Sequence, residues 1–510
     1  MWARVATHGH LKRASMHLTF KNVCFQYEGT AVPVFESLDW GMSQGWCGIV
    51  GANGAGKSTL LRLAINELTP LRGHIARPGP GLYGAQRTDL PPAGLPRLLL
   101  AADSAAQRLK LELGLQPDWA HRWSTLSHGE RKRAQIAVLL HHAPMVLAVD
   151  EPTNHLDQAA RDQVLHALAG YQGFGLLVSH DRDLLDALCA QCLFLNPPGL
   201  TVRPGSYTQG LREAEQERLA QTRQSAKADR EVRELRQEQH LRRAQTAKQE
   251  RQRSKRGLAK GDHDAKAKLD AARVSDSGSG QRLRQLDGRV RQATDRKNSL
   301  EAHRRFTLGI RLEGAASHRN ILWATSEGAL PVGGERRLWT PALVIHTTDR
   351  IGIQGPNGTG KSTLLRHIVD DLERTGEKVA YLPQEIHAAR GVEILREILR
   401  LSPDRRGNVL SVVRRLGSDP ARVLQSQDPS PGEVRKLLLA ACVDSRPSVL
   451  VMDEPTNHLD LPSVECLEEA LEGCAMALVL VSHDRRFLSR LTQRKWIISK
   501  TSEEDFTLVE

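Results

Sequence analysis

Short apolar runs that stop abruptly on polar residues recur along this chain, and two pairs of them are near copies. Gly48-Ile49-Val50 and Ile351-Gly352-Ile353 each lead into a glycine-rich loop and then an apolar helical start, while MVLAV and VLVM each stop at an aspartate, Asp150 and Asp453. Continuous apolar runs of this length, bounded by turn residues, predict strands buried on both faces, as in a parallel sheet covered by helices. HLTFKNVCF, directly after Met16, reads as a further strand, and Cys474 to Val481 as a buried one. The pattern changes between residues 211 and 256, where Glu, Gln, Arg and Ala dominate and neither Pro nor Gly occurs. This composition predicts one long helix, and its 46 residues would span roughly 70 Å at about 1.5 Å each. A Gly- and Ser-containing stretch at 257–280 interrupts it, and a second helix follows, with Leu283, Leu286, Val290, Ala293 and Leu300 spaced as a heptad seam. Ala228, Val232 and Leu235 give the first helix a weaker seam. An antiparallel helical hairpin is expected, its tip the basic segment RQRSKRGLAK at 251–260; a solvated charged linker is the alternative.

The near copies are part of a long internal repeat, whose period sets the architecture. GANGAGKST at 51–59 returns as GPNGTGKST at 355–363, DEPTNHLD at 150–157 returns letter for letter at 453–460, and VSHDR at 178–182 returns at 481–485. Lys57 precedes Asp150 by 93 positions and Lys361 precedes Asp453 by 92; Asp150 to His180 and Asp453 to His483 are both 30. At 510 residues the chain exceeds what one core supports. The expected organisation is α/β, with two tandem modules at 16–205 and 306–510 joined by a helical hairpin linker at 206–305. Residues 1–15 are expected to be an extension preceding a natural start at Met16, which the intact mass of the native protein tests.

Charge sharpens this picture. The chain carries a net +12, yet residues 211–305 hold 26 Lys and Arg against 15 Asp and Glu, a net of +11, which leaves +1 for everything else. The connector alone is therefore suited to a polyanionic partner. No apolar run approaches the roughly 18–20 residues of a membrane-spanning helix. Seven scattered cysteines, an odd number, argue against a disulfide framework and for a reducing, cytoplasmic setting. The CxxC of Cys189 and Cys192 reads as buried structural thiols in preference to a metal or redox site.

The repeated loops fit GxxxxGK[ST], in which glycines turn successive backbone N–H groups toward a phosphate at the positive end of a helix. Gly51, Asn53, Gly54, Gly56, Lys57, Ser58 and Thr59 form the first cradle, and Gly355, Asn357, Gly358, Gly360, Lys361, Ser362 and Thr363 the second. Lys57 and Lys361 would reach the β- and γ-phosphates of a nucleotide such as ATP, and Ser58 and Ser362 would hold Mg²⁺. Asp150 and Asp453, at the tips of buried strands, are placed to bind the same ion. Glu151 and Glu454 follow as groups that orient or activate the attacking water, and His180 and His483 as contacts to the γ-phosphate or that water.

In the order of these motifs the chain resembles the ATP-binding-cassette ATPases, and twin cassettes with a charged helical linker and no membrane domain resemble the ABC-F family. That resemblance implies that Gln86 and Gln384 sense Mg²⁺ and the γ-phosphate, that Asp157 and Asp460 communicate across the cassette interface, and that Tyr27 stacks on adenine. No such aromatic is aligned in the second copy, where Trp323 is the nearest candidate. The signatures read LSHGE and PSPGE, with His128 and Pro431 where the family has glycine, while Ser127, Gly129, Ser430 and Gly432 are retained. The resemblance further implies head-to-tail pairing within a monomer. One site would join Lys57, Ser58, Gln86, Asp150, Glu151 and His180 to Ser430 and Gly432, and the other Lys361, Ser362, Gln384, Asp453, Glu454 and His483 to Ser127 and Gly129. As partners it implies the ribosome, rRNA and tRNA, reached through the basic linker. The expected function is ATP-driven adjustment of translation; the alternatives are antibiotic resistance by ribosome protection and, in a different class, the ATPase subunit of a membrane exporter.

Overall fold

A computed structural model describes residues 17–252 other than 155 and 198, 277–302, and 317–510 other than 318, 387 and 426–428 and 503. Met1–Gly210 together with Leu308–Glu510 make up one compact unit, and Leu211–Thr307 a second. The proposed extension at 1–15 and most of the hairpin tip lie outside the described residues.

The strand-like runs of the repeat build two copies of one sheet. In the first cassette the order is Gly81–Gly84, Val146–Asp150, Phe174–Val178, Gly45–Gly51, Cys189–Asn196 and Gly199–Pro204. All neighbours are parallel except the last pair, which forms an antiparallel edge. The second cassette repeats this order with Val379–Leu382, Val449–Asp453, Ala477–Val481, Arg350–Gln354, Arg494–Lys500 and Asp505–Val509, then adds Arg337–Thr340 and Gly328–Pro331. The strands Val146–Asp150, Phe174–Val178, Val449–Asp453 and Ala477–Val481 are buried at every position, as their unbroken apolar runs require. HLTFKNVCF forms Leu18–Phe25 in a separate antiparallel sheet with Phe35–Met42 and Arg72–Ala76. Because parallel strands all end on the same side, the glycine loops, Asp150 and Asp453 emerge together at the carboxyl edges, where ligands of open α/β sheets bind.

Described by itself, the second unit is the expected hairpin. Its helices are Tyr207–Gln252 and Ser277–Ala302, and Val232, Leu235, Leu286 and Ala293 close a small core with Val290 against it. Lys297 pairs with Asp229 at 2.8 Å and Arg243 with Asp287 at 3.1 Å, so low numbers on one helix face high numbers on the other, an antiparallel register. The second helix starts at Ser277, four residues inside the stretch read as a break: adding residues to an existing helix costs far less than nucleating one, and Ser and Gly are tolerated there.

Candidate functional site

Each glycine loop leaves its strand and enters a helix through a left-handed glycine, Gly56 before Lys57–Ala64 and Gly360 before Lys361–Arg374, both at φ +93°. A side chain at either glycine would collide with Val34 or Val332, so only glycine fits both the conformation and the space. Lys57 Nζ donates to the carbonyls of Gly51 at 2.8 Å and Ala52 at 3.1 Å, and Lys361 Nζ to those of Gly355 and Pro356, both at 2.7 Å. Burial pulls both ammonium groups below the usual lysine range.

Asp150 accepts hydrogen bonds from Ser58 Oγ at 2.6 Å and Tyr83 Oη at 2.9 Å. Asp453 stands equivalently beside Ser362, its carboxyl raised by burial, and its Oδ2 is buried with no hydrogen-bond partner among the described residues. Glu151 and Glu454 sit at φ +50° and +48°, a strained conformation for glutamate. Each is held there twice: its N–H donates to Val178 O or Val481 O at 2.8 Å, and its Oε2 accepts from the N–H of His180 or His483 at 3.2 Å. Burial pushes both carboxyls well above the usual range, the adjacent Asp150 adding to the effect at Glu151. Burial, and then Lys57 or Lys361, pushes His180 and His483 down to about 3, so both imidazoles are neutral at pH 7.

The cassettes meet head to tail around this chemistry. Asn53 N–H donates to Asp460 Oδ2 at 2.8 Å, and Asn53 Nδ2 donates to His458 O at 3.2 Å. Gly432 packs into the same junction: a Cβ there would lie 2.8 Å from His458 O and 3.6 Å from Asn53 Nδ2. A cavity of about 830 Å³ brings Asn53, Gly54, Gln86, Glu151 and His180 together with Ser430 and Gly432. A smaller one, about 340 Å³, lies beside Tyr27, Lys57, Ser58, Thr59 and Asp150, and Tyr27 Oη is 3.0 Å from Thr59 Oγ1. Asp157 lies within electrostatic reach of Lys361, the reciprocal contact. Ser127 and Ser430 cap the helices His128–His141 and Pro431–Asp444, each Oγ donating to the glutamate three residues on, Glu130 at 2.8 Å and Glu433 at 2.7 Å. Pro431 is the first residue of its helix, where no backbone N–H is needed, which explains why proline fits the signature. Trp323 is no adenine stacker: it is buried in the sheet core against Trp496, with Nε1 donating to Asp371 at 3.2 Å.

Sequence reasoning missed a pair of buried cations. Lys132 donates to Ala85 O at 2.7 Å and Asp150 O at 3.2 Å, and Arg435 to the carbonyls of Gln384 and Glu454. Each binds the glutamine loop to the end of the aspartate strand. Both stand five residues after a signature serine, a signal hidden among the neighbouring cations Arg131, Arg133 and Lys436, of which Lys436 is buried as well. The CxxC thiols are free and buried.

The donor set fits the nucleotide and ion that the motifs imply. Hard oxygen donors suited to Mg²⁺ (Ser58 with Asp150, Ser362 with the buried Asp453) sit beside lysines and helix N-termini suited to phosphate. The sequence profile of the family described as ABC transporter matches residues 35–154 and 341–457. The ribosome protection protein VmlR of Bacillus subtilis (strain 168) is 31% identical over 501 residues, covering 96% of this chain and 87% of its own. The tylosin resistance ATP-binding protein TlrC of Streptomyces fradiae is 31% identical over 510 residues, covering 87% of this chain and 90% of its own. The chain belongs to the ABC-F family. A solved structure described as RNase-L Inhibitor shares the fold of this ABC-F chain at a TM-score of 0.62 and 18% identity, over 96% of this chain and 90% of that one. An ABC-F chain binds nucleotide and hydrolyses ATP, and among the described residues no helix is long and apolar enough to cross a membrane.

Proposed function

We propose that the protein is a cytoplasmic, monomeric ATPase of the ribosome whose two composite sites close on ATP and set the position of the basic hairpin against rRNA and tRNA near the peptidyl-transferase centre. The observation that carries the composite-site reading is the junction at the first site, where the phosphate-loop Asn53 hydrogen-bonds His458 and Asp460 of the other cassette beside its signature Gly432, with Asp157 near Lys361 as its counterpart at the second. Glu151 and Glu454 act as water-orienting bases, with raised affinity for a proton and fixed backbones. Neutral His180 and His483 contact the γ-phosphate side, and Lys57 and Lys361 follow the charge of the leaving phosphate. Mg²⁺, held by Ser58 and Asp150 and by Ser362 and Asp453 with Gln86 and Gln384 nearby, would neutralise charge on the β- and γ-phosphates. Tyr27 flanks the nucleotide of the first site. Loss of the γ-phosphate removes the contacts that favour the closed state, which makes the chain a two-state switch.

The ribosomal partner is supported by the net +11 of residues 211–305 and by the printed name of VmlR. A protein with Glu151→Gln and Glu454→Gln should sediment with ribosomes in ATP and dissociate as salt rises; retention in the supernatant at low salt with ATP overturns the reading. The name of TlrC favours a second reading within it, ribosome protection against an antibiotic. Expression in a susceptible host should then raise the inhibitory concentration of a drug that binds the large subunit, and no change for any such drug leaves translation adjustment alone.

A further inference from the structure

Outside the recurrent motifs, one charged side chain crosses from the first cassette into the machinery of the second. Arg161 lies four residues after Asp157, and the repeat-equivalent position, four after Asp460, is Val464, 2% exposed. Arg161 Nε donates to Leu156 O at 3.1 Å, and its Nη1 donates to His483 O at 3.2 Å and pairs with Asp181 Oδ2 at 3.5 Å. Asp181 already uses Oδ1 to cap its own helix through Asp183 N–H and Leu184 N–H, both at 3.1 Å. Asp181 and Leu156 are therefore the anchor that aims the guanidinium, and the His483 carbonyl is the target.

We propose that Arg161 is a positioning residue for the second site, clamping the His483 peptide from across the cassette interface. The proposal rests on the two-site reading above. His483 is held on its other side by its N–H to Glu454 Oε2, and its Nε2 lies 3.1 Å from Asn357 Oδ1 and 3.6 Å from Glu454 Oε1. One residue thus joins Arg161 through its carbonyl, the water-orienting carboxylate through its N–H and the phosphate loop through its imidazole. At the first site the imidazole turns to the glutamate itself, 3.1 Å from Glu151 Oε1, and Val464 offers no donor. The guanidinium also lies within electrostatic reach of Glu454. The guanidinium presents its donors on separate nitrogens in a fixed fork, so Nε meets the Leu156 anchor while Nη1 reaches the His483 target. The consequence is inequivalence: a guanidinium from the opposite cassette holds the His483 carbonyl, whereas the opposite cassette's cation near His180, Lys436, acts through its charge and the repeat-equivalent Val464 carries no donor.

The test is single-turnover ATP hydrolysis with fluorescent-nucleotide binding in two backgrounds. Glu151→Gln leaves the second site as the hydrolysing one, and Glu454→Gln leaves the first. Arg161→Val should slow hydrolysis about tenfold in the Glu151→Gln background with nucleotide affinity within about twofold, and stay within about twofold in the Glu454→Gln background. Arg161→Lys should recover part of the loss. Asp181→Asn, which retains the cap and weakens the anchor, should show the same selectivity more mildly and keeps the question open to measurement if Arg161→Val fails to fold. Equal losses in the two backgrounds, or a loss in affinity alone, overturn the proposal. No hydrolysis in the Glu151→Gln background before Arg161 is touched overturns the two-site reading, and the proposal with it.

Discussion

The two cassettes carry DEPTNHLD letter for letter, yet the groups surrounding it differ. At the first aspartate Tyr83 and Ser58 both donate, whereas Asp453 keeps one buried oxygen without a partner among the described residues. The buried cation beneath is a lysine in one cassette and an arginine in the other. The histidine rests on its glutamate in one and is shared with an asparagine in the other. The phosphate-loop helix runs 8 residues in the first cassette and 14 in the second. Duplication preserved the glycine loops and the DEPTNHLD segment, where position tolerates little, and released the supporting groups, where several side chains satisfy the same carbonyls. Identical motifs therefore do not imply identical sites.

The comparison is broken most forcefully by removing both buried glutamates. Glu151→Gln with Glu454→Gln should lower steady-state ATP turnover at least about a hundredfold, while the single variants retain unequal fractions; equal fractions would mean that the surroundings do not matter. Next is the buried cation. Arg435→Ala strands the carbonyls of Gln384 and Glu454 and should destabilise the second cassette by about 3 kcal/mol in denaturant unfolding. Arg435→Lys should be milder, since Lys132 already performs this task in the first cassette. Smaller still is the signature glycine. Gly432→Ala drives a Cβ to 2.8 Å from the backbone carbonyl of His458, whereas at Gly129 it meets a terminal methyl of the Leu156 side chain at 3.1 Å. Gly432→Ala should lower turnover about tenfold and Gly129→Ala less than about threefold. The smallest effect is expected from Tyr27→Phe, which removes the 3.0 Å contact to Thr59 and should raise the KM for ATP by about twofold; a larger change would mean that the hydroxyl serves the nucleotide directly.

Much of the fold was legible because it depends on neighbours in the chain. Unbroken apolar runs became strands buried throughout, and the three-and-four spacing of Leu286, Val290 and Ala293 became a hairpin seam. Trp323 shows the limit: its position in the sequence left it no more than the nearest candidate stacker, and packing against Trp496 placed it in the core. Lys132 and Arg435 were invisible for the opposite reason, because a cation among cations carries no pattern that says which one reaches the glutamine-loop carbonyls.

From its order of residues alone, then, the chain determined its repeat, its phosphate cradles, its helix caps and its basic hairpin. These are local: a glycine at φ +93°, a serine three residues before a glutamate, or a proline at a helix start acts on the nearest turn of backbone. Only the tertiary structure decided which side chains from distant segments share a site, holding glutamates at positive φ through strands about thirty residues away and bringing Arg161 to a carbonyl 322 positions on. Those contacts follow from how two sheets and their helices pack, and packing is a property of surfaces that no single stretch of sequence carries.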